Sequence, residues 1–167
     1  VGVLLLVTSF TLTGHIQTTS SPLAAGSLLI VHLLIASFWI AAPITLWPRP
    51  NLSQENIIKR TNKFSQLATR IIGLLFVTGA IIAYLLLNEL SDLVSTTYGR
   101  LLLSKTFLAL TLLSIGALNK FYISKILIID NLKGRSALKR TLSLEALLFV
   151  GTILILAFAT TVTGPGK

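Results

Sequence analysis

Residues 23–46 read LAAGSLLIVHLLIASFWIAAPITL, and His32 is the single ionisable side chain in the stretch. An α-helix needs about 20 apolar residues to cross roughly 30 Å of hydrocarbon, so this run has the length and composition of a membrane span. It lacks the apolar and polar alternation of a barrel strand. Similar segments at residues 1–13, 64–87, 101–118 and 141–162 predict an all-α, polytopic transmembrane helical bundle of about five spans, forming a single domain over residues 1–167. The first segment is short and opens on Val1 rather than methionine, so it is expected to be the truncated end of a longer span.

Composition agrees with this reading. The chain is 53% hydrophobic and 11% charged, with a mean hydropathy of +0.86, outside the usual range of soluble domains. It has no cysteine and no methionine, which excludes disulfides, iron–sulfur clusters, thiolate sites and thioether ligands. A metal would have to be held by histidine, carboxylate, hydroxyl or backbone groups.

The net charge of +9 is placed by topology rather than by nucleic-acid binding. Arg49, Lys59, Arg60 and Lys63 fall between the second and third segments, and Lys120, Lys125, Lys133, Arg135, Lys139 and Arg140 follow the fourth. Basic loops are retained in the cytoplasm. The uncharged loop around IQTTSSP, the loop NELSDLVSTTYGR and the C-terminal GPGK are therefore assigned to the outer side of the membrane. Pro22 suits a helix start, while Trp39 and Trp47 suit an interior contact and an interfacial anchor. KILIIDNLKGRSALKR, residues 125–140, is expected to form a short amphipathic helix on the cytoplasmic surface, against anionic lipid.

Ionisable residues within spans cost about 2.5 to 3.5 kcal/mol each at mid-span, so His32, Arg70, Lys105 and Glu145 call for partners or water. Three stripes follow from helical spacing: Ala25, His32, Ala36, Trp39 and Pro43; Arg70, Gly73, Val77, Ala80 and Tyr84; and Lys105, Ala109, Leu112, Gly116 and Asn119. Each is expected to face inward. Arg70 and Glu145 share a depth near the cytoplasmic boundary and are expected ion-pair partners, forming with Lys105 and Asn119 an intramembrane polar network. The plainer alternatives are that Arg70 and Lys105 snorkel to their interfaces and that His32 only hydrogen-bonds a neighbouring helix.

Both histidines, His15 and His32, flank the uncharged outer loop and are the candidate metal ligands. With the second helix starting at Leu23, His32 lies roughly 13 Å below its outer end. Either the first helix continues past Gly14 and the two imidazoles share one ion, or they are successive stations on one path. Neutral imidazole accepts copper, zinc or haem iron, so these residues alone do not name the metal.

The order TGH, HLLIASFWIAAPITL, FSQLATRIIGLLFVTGAIIAYLLL, TTYGRLLLSKTFLALTLLSIGALNKF and RSALKRTLSLEALLFVGTILILAFATT resembles the C-terminal membrane half of the copper resistance protein D (CopD) family. The most specific parts are YGRLLLSK joined to GALNKF, the histidine followed by FW, and the glutamate near the start of the last span. The resemblance implies an inner-membrane protein of copper uptake or copper handling, working with a CopC-like periplasmic copper carrier. It implies copper at His15 and His32, and it makes Arg100, Lys105, Asn119 and Glu145 motif positions without an assigned role.

Two alternatives belong to other classes. A b-type haem-binding subunit needs both histidines at one depth on facing helices. An accessory subunit of a larger copper-dependent membrane enzyme complex needs no metal in this chain. An enzymatic role is not expected, and no catalytic residue is assigned: the chain has no phosphate-binding glycine loop, no paired carboxylates and no serine, histidine and aspartate constellation.

Overall fold

The structure is a computed structural model and describes residues 21–87 and 89–161. His15, the predicted 1–13 span and the C-terminal residues 162–167 lie outside the described residues. The regular elements among the described residues are helices: α1 (Pro22–Ile40), α2 (Ala42–Thr45), α3 (Gln54–Leu86), α4 (Asp92–Ser95), α5 (Thr97–Leu118), a π-helical turn (Asn119–Ile123), α6 (Ser124–Ile129) and α7 (Asn131–Thr161).

Three stretches among the described residues, Pro22–Thr45, Gln54–Leu86 and Thr97–Ile129, are long and apolar enough to cross a membrane. They contain the predicted 101–118 segment and all but the last residue of 23–46 and of 64–87. The helices nevertheless run past the apolar segments. Helix α3 starts ten residues early, where the Ser53 carbonyl accepts the Ile57 N–H at 3.2 Å and the Ser53 hydroxyl accepts the Asn56 N–H at 3.3 Å. Polar residues leave lipid without leaving the helix.

The expected surface helix over 125–140 is not a separate element. Asp130 is extended, with φ of −135° and ψ of 99°, and divides the stretch between α6 and the first turns of α7. Asp130 then acts as the N-cap of α7, its carboxylate accepting the Lys133 N–H at 3.1 Å and meeting the Lys133 ammonium at 3.2 Å.

The chain packs as two units. Among the described residues, one takes 21–38, 71–87, 89–105 and 154–161; the other takes 39–70 and 106–153. In the first unit, Ala25, Leu75 and Thr78 are buried. The short α4 packs against the start of α5, where a Cβ on Gly99 would lie 2.0 Å from the Asp92 carbonyl oxygen. Glycine is therefore required in the YGR motif for this close backbone approach.

The core of the second unit is formed by Ile57, Leu127, Leu138 and Leu142, all 2% exposed or less. Gly134 brings α7 onto α6 so closely that a Cβ there would lie 2.4 Å from Leu127 Cα. The Arg135 guanidinium donates to the carbonyls of Arg49, at 3.1 Å, and Leu52, and its Nε donates to Asn131 Oδ1 at 2.8 Å. Gln54 Nε2 donates to the Leu127 carbonyl at 2.7 Å. The connection between α2 and α3 is thus tied by side chains to the segment that enters α7. Trp39 is buried, with its ring edge 4.0 Å from the place of a Gly116 Cβ, which agrees with the expected interior contact.

Candidate functional site

The first and third predicted stripes are largely inward: Ala25, Trp39, Pro43, Leu112 and Asn119 are buried, although His32, Ala36, Lys105, Ala109 and Gly116 are only half-buried. The second is reversed. Arg70, Gly73, Val77, Ala80 and Tyr84 are all exposed, and α3 buries Leu75 and Thr78 instead. In lipid both faces of a helix are apolar, so periodicity does not mark the packed face, and an arginine near the start of the apolar part of a helix reaches the interface from an outward position.

His32 in α1 faces this buried side of α3. Its Nδ1 lies 3.1 Å from Thr78 Oγ1 and 3.2 Å from the Leu75 carbonyl oxygen. The Thr78 hydroxyl has its own acceptor, the Leu74 carbonyl at 2.8 Å. A carbonyl oxygen only accepts, so the contact with Leu75 is a hydrogen bond in the tautomer that carries its proton on Nδ1. The neutral ring then carries its lone pair on Nε2, which has no hydrogen-bond partner among the described residues. A ligating histidine is commonly arranged this way, with one nitrogen held by the protein and the other left to the ion.

Glycine makes room for the ring. A Cβ on Gly79 would lie 3.1 Å from His32 Cε1, so the imidazole rests against the backbone of α3. Thr78 and Gly79 were not among the sequence-derived candidates. Their one visible signal is the TG pair at 78–79 within an apolar run, directly followed by Ala80.

The other candidates separate. Glu145 in α7 and Asn119 at the start of the π-helical turn come together: Asn119 Nδ2 donates to Glu145 Oε1 at 2.8 Å, and Thr141 Oγ1 donates to Asn119 Oδ1 at 2.6 Å. Glu145 is 3% exposed. The expected pairing of Glu145 with Arg70 does not form, because Arg70 lies on the exposed face of α3 and the carboxyl is met by Asn119. Lys105 is half-buried in the unit that holds His32, and Arg100 is exposed, its Nε donating to the carbonyl of Thr96, the residue before α5.

No group of three or more histidine, cysteine, aspartate or glutamate side chains is placed to hold a metal among the described residues.

Comparison with known proteins points one way. The family model for copper resistance protein D matches residues 58–159. The copper transport protein CutJ of Bacillus subtilis (strain 168) is 26% identical over 171 residues, an alignment that takes in 97% of this chain and 29% of that protein. The chain thus spans under a third of the length of this curated relative. No solved structure matches the chain.

Proposed function

The chain belongs to the copper resistance protein D family, and from that premise we propose that this copper-related membrane protein takes up or delivers copper ions, with His32 as a transient ligand on their path. The observation that carries this reading is the seat of His32: Nδ1 lies against the Leu75 carbonyl and the Thr78 hydroxyl, and with the proton on Nδ1 the basic Nε2 is left for an ion. The name of the Bacillus relative, a copper transport protein, supports the same cargo.

Copper is the substrate in this reading, arriving from the periplasmic side of an inner membrane, from a CopC-like carrier or a larger membrane complex. It meets His15 first and His32 next. A single imidazole donor is suited to transfer, since an ion held by few ligands exchanges readily onto the next one. With no phosphate-binding loop in the sequence, movement draws on the copper gradient, the membrane potential or a partner.

Copper accumulation in cells carrying His15→Ala and His32→Ala, together with metal analysis of the purified variants, tests the assignment. Both variants are expected to lower uptake and bound copper. Unchanged uptake and unchanged metal content in both would remove the basis for it.

A further inference from the structure

The buried carboxyl of Glu145 is not used by the copper path, and its surroundings are unusual for a membrane protein this basic. The unit that contains it holds many cations, yet none is an ion-pair partner of Glu145 among the described residues. Arg49, Lys59, Arg60, Lys63, Arg70, Lys125, Lys133, Lys139 and Arg140 are exposed, as is Glu55, and Tyr122 is 64% exposed. The three less exposed charged groups are each engaged elsewhere: Lys120 donates to Thr69 Oγ1 at 3.0 Å, Arg135 holds the Arg49 and Leu52 carbonyls, and Asp130 meets Lys133. A buried anion facing only neutral groups is costly, and uptake of a proton removes that cost.

The hydrogen-bond chain around Glu145 works in either direction. With the carboxyl ionised, Thr141 donates to Asn119 Oδ1 and Asn119 Nδ2 donates to Glu145, as described. With the carboxyl protonated, a half-turn of the Asn119 amide lets Glu145 donate to Oδ1 and lets Nδ2 donate to Thr141 Oγ1. The Thr141 hydroxyl then turns to the Leu138 carbonyl, which already lies 3.0 Å away. Each link keeps a partner in both states, so gain or loss of the proton leaves no member of the chain unsatisfied.

The backbone adds an independent sign. Asn119 opens the π-helical turn, in which the Ser124 N–H reaches the Asn119 carbonyl five residues back. Such wide turns within α-helices cost regular hydrogen bonding and are found frequently at functional positions.

We propose that Glu145, with Asn119 and Thr141, is a reversible proton-binding site inside the helical bundle. The ligand is the proton itself; no covalent step and no metal is involved, and the site stands independently of the copper reading. Proton exchange here would let this unit respond to the pH of the compartment that reaches it.

Infrared difference spectroscopy of the purified protein in lipid, stepped between about pH 5 and 8, tests the site directly. With five acidic residues in the whole chain, the spectrum holds few carboxyl bands to assign. The expected result is a protonated-carboxyl stretch that appears on acidification, shifts in heavy water and is absent in Glu145→Gln, whose amide fits the same chain. In Glu145→Asp, a shorter side chain that loses Asn119, the band should persist with a displaced midpoint. Absence of a titrating carboxyl band in the native protein, or a band unchanged in Glu145→Asp, would overturn the proposal.

Discussion

His32 and Thr78, 46 residues apart in sequence, meet with Nδ1 3.1 Å from Oγ1, and this contact together with the Leu75 carbonyl at 3.2 Å holds the Nδ1 edge of the ring against α3. Removing the hydroxyl leaves the carbonyl as the remaining anchor. Thr78→Val is expected to weaken copper binding by about tenfold, the lower end of what outer-shell partners contribute. Thr78→Ser should retain it. Copper titration of the purified variants, set against their thermal stability, separates a positioning effect from loss of fold.

Gly79→Ala tests the seat of the ring. The added methyl would lie 3.1 Å from His32 Cε1, closer than ordinary contact, so the imidazole must turn away by a few tenths of an ångström. Bound copper should fall while helix content stays at the native level. A variant that binds copper as the native protein does would show that the ring orientation is not what matters.

Gly134 and Gly73 make a matched pair for stability. A Cβ on Gly134 would strike the Leu127 backbone at 2.4 and 2.7 Å, whereas one on Gly73 would meet nothing within 4 Å. Gly134→Ala should destabilise by about 3 kcal/mol or more, the upper range for overpacking where backbone must move. Gly73→Ala should stabilise by up to about 1 kcal/mol through helix propensity. Thermal unfolding in detergent ranks the two against the native chain.

Asp130 gives a pH dependence outside the membrane. The Lys133 N–H and ammonium, with the Leu132 N–H, hold its carboxyl below the ordinary value of 3.8. A depressed acid contributes stability that is fully present above the ordinary value and is lost as pH falls through the lower, folded one. Helix content at the start of α7 should therefore drop only below about pH 3.8. Asp130→Asn should remove that part of the acid response; an unchanged profile would assign it to another carboxyl.

Much of this arrangement is legible in the sequence because length and polarity are strong signals. The apolar runs at 23–46, 64–87 and 101–118 correspond to helices, and Asn119 and Glu145 stood out as polar residues in apolar surroundings. Orientation is harder to read. The charge of Arg70 implies an interior partner and so turns α3 the wrong way round, although a long side chain near the start of an apolar segment reaches polar surroundings from the lipid side. Thr78 escaped notice for the converse reason: its hydroxyl satisfies itself on the Leu74 carbonyl, so nothing in composition distinguishes it from a threonine that faces lipid. The helix limits at Gln54 and Asn131 depend on the caps Ser53 and Asp130, which lie beyond the apolar segments.

The π-helical turn at Asn119–Ile123 amounts to one residue absorbed into an otherwise regular helix. Each residue advances an α-helix by about 100°, so everything after the turn is rephased by that amount relative to α5. Leu127, now 1% exposed, and Ile128, now 61% exposed, owe their facing to that extra residue. Shortening the chain by one position within the turn would therefore act at a distance, exchanging buried and lipid-facing side chains along α6 while leaving every residue of α5 where it is.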